Sequence, residues 1–109
     1  LACITDHDQV VSAAGPAHKE YAGRAISRDL EELIASRGIH KGNEGREKSI
    51  PLTEGQREMP NLQVIWPIIC AGDTIGSVIL VGETGQSMGE AEQKLVQTAA
   101  GFLGRQMEQ

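Results

Sequence analysis

The stretch LQVIWPIICAGDTIGSVILV, Leu62 to Val81, decides the fold class of this chain. Leu62–Cys70 and Thr74–Val81 are apolar or β-branched at almost every position, which predicts two paired strands with both faces covered. Ala71-Gly72-Asp73 supplies the turn between them. Pro67 cannot donate to a ladder, so it predicts a bulge or an outward-facing backbone position. Gly76 predicts the close approach of a neighbouring element.

Downstream of this hairpin the pattern changes to a helical period. Ser87-Met88-Gly89-Glu90 has the form of a capping box, with Ser87 accepting from the Glu90 N–H and the Glu90 carboxylate reaching back. The helix is predicted to run to about Met107, a rod of roughly 30 Å at 1.5 Å per residue. Its apolar face is wider than one stripe, and a wide face predicts more than one buried contact. Leu95, Ala99, Ala100, Phe102, Leu103, Gly104 and Met107 are the expected oligomer interface. Gly101 and Gly104 each cost ~1 kcal/mol in a helix interior. Ala100 and Gly104, one turn apart, would let a partner backbone come close. The competing reading is that the glycines lie against the sheet.

Upstream, Leu1–Thr5 and Gln9–Ala14 predict a second hairpin with its turn at Asp6–Asp8, ended by Gly15-Pro16. Ala17–Ser27 predicts a helical turn plus a loop, with Tyr21 and Ile26 anchored inward. Ser27 is placed to cap a helix over Arg28–Arg37, whose Leu30, Leu33 and Ile34 form one apolar stripe and whose early carboxylates suit the positive helix end. Gly38 is the expected stop. Ile39–Gly45 reads as a loop, Lys48–Thr53 as an edge strand and Glu54–Asn61 as a polar connection. The chain opens at Leu1 inside an apolar run, so a preceding N-terminal part is expected.

Composition narrows the function classes. The 109 residues suffice for one domain, residues 1–109, with one core. Aromatics are only 3%, namely Tyr21, Trp66 and Phe102, so the core is aliphatic and thin enough to lean on a partner subunit. The formal charge of −5 repels phosphate backbones, and no nucleic-acid contact is expected from this segment. Two cysteines, Cys3 and Cys70, are too few for a disulfide scaffold and fit a reduced, cytoplasmic setting. No apolar run reaches the ~18–20 residues of a membrane span, and no signal peptide is visible.

Chemistry-bearing patterns are lacking. His7, His18 and His40 have no matched partner in the sequence, and no catalytic residue is assigned. Asp6-His7-Asp8 is too short for a zinc or calcium site, so no metal is expected. The glycines match neither a phosphate loop nor a dinucleotide fingerprint, and no cofactor is expected. Tyr21 and Trp66 are the aromatics available to line a small-molecule pocket, the alternative being two core anchors.

Pro67-Ile68 with Gly72 and Ile75-Gly76 resembles the hairpin signature of GAF domains. Met88-Gly89-Glu90, Thr98–Leu103 and Arg105–Gln109 resemble the end of the stage V sporulation protein T family of transcription regulators, and Leu1–Gly15 with Tyr21–Ser27 is similar to the opening of its GAF-like domain. The resemblance implies an α/β (α+β) fold, a GAF-like antiparallel sheet with helices packed on one face, with the N-terminal helix missing from this segment. It also implies an AbrB-type DNA-binding domain elsewhere in the full-length protein, and helices that assemble dimers into tetramers. Ile39–Gln56 is where the chain departs from the family most.

The expectation is therefore a regulatory GAF-like domain that senses a small molecule, mediates homo-oligomerisation, or both. The alternative is a purely structural oligomerisation domain without a ligand. A weaker alternative is a GAF-fold enzyme such as a sulfoxide reductase, which needs accessible reactive thiols.

Overall fold

The structure, a computed structural model, describes residues 1–42, 49–56, 62–82 and 89–107. The elements run β1 (Ala2–Thr5), β2 (Val10–Ala14), α1 (His18–Tyr21), α2 (Arg28–Ala35), β3 (His40–Gly42), β4 (Leu62–Cys70), β5 (Asp73–Gly82) and α3 (Glu90–Gln106). The strands form one five-stranded sheet in the order β2-β1-β5-β4-β3, and the neighbouring strands pair antiparallel.

The β4–β5 hairpin is the centre of this sheet. Ala71 (φ 50°) and Gly72 (φ 86°) both take positive φ, the primed-turn geometry whose twist matches that of the flanking strands. Asp73 thereby opens β5, opposite Cys70, instead of sitting in the turn. The register shifts between Ile68 and Ile69, where Ile68 faces Gly76 and Ile69 faces Thr74, leaving Ile75 as the extra residue of a bulge. Pro67 is tolerated because β3 pairs β4 only from Gln63 to Ile65, so beyond Ile65 β4 has an unpaired side. Gly76 is required by sheet packing: a Cβ there would lie 1.9 Å from the Thr5 carbonyl oxygen.

Alternation sends residues of the same strands to opposite layers. Ile65, Ile79 and Cys3 pack with Leu30 and Ile34 of α2, joined by Val10, Ile26 and Leu52. Val64, Ile68 and Val78 pack with Val96 and Ala100 of α3. The α+β antiparallel architecture is as expected, and the two covered faces explain the almost unbroken apolar runs. The helices divide between the faces instead of sharing one, because the short α2 and its flanking segments form a core of their own opposite α3.

Helix α2 begins where Ser27 accepts a hydrogen bond from the Leu30 N–H at 3.1 Å. It ends two residues before the predicted Arg37. The left-handed residue is Arg37 (φ 59°), and Gly38 follows it, donating to the Leu33 carbonyl at 2.9 Å in a Schellman closure. In α3, Gly89 is the N-cap, and the Glu92 carboxylate accepts from its N–H at 2.8 Å. The predicted Ser87 cap lies outside the described residues.

Two local expectations are corrected. His40–Gly42, read as loop, forms β3 against Val64 and its neighbours, because pairing to a buried strand overrides weak local propensity. Ser49–Thr53, the described part of the expected edge strand, joins no ladder of the sheet, and its one β pairing among the described residues is an isolated antiparallel bridge from Thr53 to Ile26. The buried Gln63 side chain takes the place of a neighbouring strand: its Oε1 accepts from the Ile50 N–H at 3.0 Å and its Nε2 donates to the Ile50 carbonyl at 2.9 Å. Ser27 adds a hydroxyl bond to the Pro51 carbonyl and a backbone N–H to the Leu52 carbonyl. Gln56 Oε1 accepts from the N–H groups of Leu52 and Thr53. Residues 49–56 are thus a strap over the α2-side core, with Leu52 its buried anchor.

Candidate functional site

Helix α3 is held by the sheet through a narrow line, Val96, Ala100 and Gly104, which are its buried residues. Gly104 is set against the Ile69 backbone, where a Cβ would lie 2.2 Å from the carbonyl oxygen. This small-residue line seats the helix low on the sheet and leaves its two flanks available.

On the flank toward β1 the helix is apolar. Leu95 (63% exposed) and Phe102 (54%) stand in solvent there, while Ala99 and Leu103 are half-buried; Met107 (61%) is exposed at the C-cap, past the end of the helix. Beside them runs a groove of about 240 Å³ between α3 and the uncovered side of β1 and β2, lined by Ala2, Ile4, Ala14, Leu80, Leu95 and Ala99 among others. Exposed large apolar groups next to an apolar groove make this flank a candidate interaction surface. Of the residues expected at an oligomer interface, Leu95, Phe102 and Met107 are free to meet a partner, and Ala99 and Leu103 border them. Ala100 and Gly104 face the sheet of their own domain.

On the opposite flank α3 is polar. Lys94, Gln97, Thr98, Gly101 and Arg105 line a second groove, about 620 Å³, together with Trp66, Pro67 and Ile69 of β4. Sequence reasoning did not find this groove, although the spacing of Lys94, Thr98, Gly101 and Arg105 is that of one helix edge.

The two aromatic candidates for a pocket lie on different faces. Trp66 is half-buried on the α3 side. Tyr21 is half-buried on the α2 side, where its hydroxyl accepts from Gln56 Nε2 at 3.2 Å. Burial of the phenol pushes its pKa up. The structure does not bring Tyr21 and Trp66 into one site.

Other reactive groups are set up as structure. Cys3 is buried in the core and its thiol is pushed up to about 11 by desolvation, the opposite of an activated nucleophile. Asp6 caps its own turn, its Oδ1 accepting from the N–H groups of Asp8 at 2.7 Å and Gln9 at 2.8 Å, and these bonds hold its pKa below the ordinary value. Among the described residues no three His, Cys, Asp or Glu side chains are grouped to hold a metal ion, and no helix is long and apolar enough to cross a membrane.

Residues 1–108 match the family described as stage V sporulation protein T C-terminal, transcription factor. Stage V sporulation protein T of Bacillus subtilis (strain 168) is 41% identical over 106 residues, which is 97% of this chain and 58% of the relative. The chain therefore spans somewhat over half the length of that relative. On these matches, this chain belongs to the stage V sporulation protein T C-terminal family.

Proposed function

We propose that this chain is the regulatory domain of a sporulation transcription factor, working in the cytoplasm, and that it acts by assembly with a second copy of itself. The observation that carries the reading is the exposed apolar flank of α3, Leu95 and Phe102, beside an open apolar groove, with Met107 exposed at the helix end. Burying a Phe, Leu or Met side chain contributes ~1.5–3 kcal/mol each. A helix seated rigidly by Val96, Ala100 and Gly104 presents these groups at low entropic cost. Assembly of the domain would set the spacing of DNA-binding domains carried elsewhere in the full-length protein, as a dimer and, through further helix contacts, a tetramer. The net charge of −5 leaves DNA contact to those other parts. In this role the domain is not an enzyme. The test is sedimentation equilibrium over a range of protein concentrations. A concentration-dependent dimer supports the reading, and a monomer throughout contradicts it.

A second reading, small-molecule sensing, is favoured by the strap at residues 49–56. Its backbone is held by the side-chain amides of Gln63 and Gln56 and by Ser27, not by a sheet ladder. A ligand that bound with the strap ordered would shift the population of domain conformations that α3 presents. Thermal-shift screening of metabolites tests this. A Tm increase that Gln63→Ala abolishes supports sensing at the strap, and no shift across a broad library leaves the purely structural assembly domain.

A further inference from the structure

Gly101 sits in the middle of α3, and nothing among the described residues requires a glycine there. Gly104 is forced by the Ile69 carbonyl, but a Cβ on Gly101 would meet only Arg105 Nη1, at an ordinary 3.6 Å. Gly101 nonetheless weakens the helix relative to Ala. A bare backbone at an exposed position that packing does not require is suited to close approach by something outside the domain.

What approaches is indicated by the groove that Gly101 lines. Its apolar floor is Trp66, half-buried, and Ile69, which is 41% exposed. Lys94 and Arg105 both line it, and the Arg105 guanidinium turns back along the helix, its Nη1 lying 3.6 Å from where a Gly101 Cβ would be. Among the described residues neither cation makes an ion pair, and Glu90, one turn before Lys94, makes none with it. Among the described residues no carboxylate lines the groove, in a chain where 15 acidic residues outnumber 10 basic ones. An apolar surface beside cations that make no ion pair among the described residues is complementary to a ring that carries negative charge. The volume of about 620 Å³ falls in the small-molecule range of roughly 300–1,000 Å³.

We infer that the groove between α3 and β4 binds a small planar anion, an aromatic or heteroaromatic carboxylate or phosphate. Its ring lies on Trp66 beside the bare backbone of Gly101, and its charge is met by the Arg105 guanidinium next to Gly101, with Lys94 adding attraction from two turns earlier on the helix. This rests on the reading of the domain as regulatory, since it supplies that domain with a ligand, and it places the ligand on the face opposite Tyr21 and the strap.

The experiment is an NMR titration of the amide and indole N–H signals with benzoate, nicotinate and adenosine monophosphate, using nicotinamide and adenosine as uncharged controls. The expected result is a saturable shift centred on the Trp66 indole and the Gly101 amide for at least one anion. Its Kd lies below about 1 mM, and the uncharged counterpart binds about tenfold more weakly or worse. The Lys94→Gln/Arg105→Gln variant weakens the anion by about tenfold or more with the circular dichroism unchanged. Gly101→Ala weakens it too while stabilising the fold. No saturable shift with any of the three anions overturns the inference, as does equal binding of the uncharged controls or undiminished binding by the double variant. A Gly101→Ala variant that changes the oligomeric mass and not the titration also overturns it, because the bare backbone then meets a second copy. The titration is read independently of mass, so a monomeric domain that binds the anion removes the assembly reading and keeps the ligand site.

Discussion

Gly104 of α3 rests on the main chain of Ile69 in β4, so closely that a Cβ on Gly104 would sit 2.2 Å from the Ile69 carbonyl oxygen. Three residues earlier, Gly101 has no such neighbour. The two glycines therefore predict opposite outcomes for the same substitution. Gly104→Ala forces the helix off the sheet and destabilises by ~1–3 kcal/mol through overpacking. Gly101→Ala raises stability by up to ~1 kcal/mol through helix propensity. Urea denaturation of the two variants measures both, and equal effects would contradict the seating of α3 described above.

Gln63 predicts a large loss from a surface-type residue. Its amide pairs both backbone groups of Ile50. Gln63→Ala leaves these groups and a cavity behind, at ~1–3 kcal/mol for each unsatisfied buried polar group. Hydrogen exchange should then rise at Ile50 and Leu52 before it rises in β4 and β5. Unchanged protection of the strap would contradict its attachment through Gln63.

Asp6 predicts a contribution on the acid side. Its folded-state pKa is lowered by the Asp8 and Gln9 N–H groups, so its stabilisation is present above the unfolded value of about 3.9 and is lost as pH falls through the folded value. Asp6→Asn keeps an accepting oxygen and removes the titration. The variant should lose stability near neutral pH and show a shallower fall between about pH 5 and pH 2. A denaturant midpoint measured against pH checks this, and parallel curves for the two proteins would contradict it.

The cysteines predict unequal reactivity. Cys3 is buried with a thiol at about 11, while Cys70 is only partly covered. At mildly alkaline pH a thiol reagent should modify Cys70 first and reach Cys3 only when the domain unfolds. Equal rates in the native protein would contradict the burial of β1. Above the ordinary thiol pKa of about 8.5 the buried neutral Cys3 also costs stability, because only the unfolded state can ionise there.

The β4–β5 hairpin and the apolar line of α3 were legible because both rest on local periodicity, and both faces of a buried strand leave an apolar mark on nearly every residue. Ser27 as a cap and Gly76 as a close approach were legible for the same local reason. Reading Ser49–Thr53 as a strand missed Gln63, because a side-chain amide satisfying a strand-like segment leaves no periodic trace. His40–Gly42 was hidden because its partner, Val64 with its neighbours, is more than twenty residues away. The interface residues were read as one broad face, and only the packing of Gly104 on Ile69 separates Ala100 and Gly104, turned inward, from Leu95, Phe102 and Met107, turned out. The polar flank with Trp66, Lys94 and Arg105 needed β4 and α3 placed side by side.

The most direct measurement of the central claim is sedimentation equilibrium of the wild-type domain beside Leu95→Lys/Phe102→Lys and beside Ile39→Lys, which charges an exposed apolar residue (49%) just before β3. The predicted result is a concentration-dependent dimer for the wild type and for Ile39→Lys, and a folded monomer for the α3 double variant. A wild type that stays monomeric, or a double variant that dimerises as the wild type does, would contradict the assignment of the exposed flank of α3 as the assembly surface.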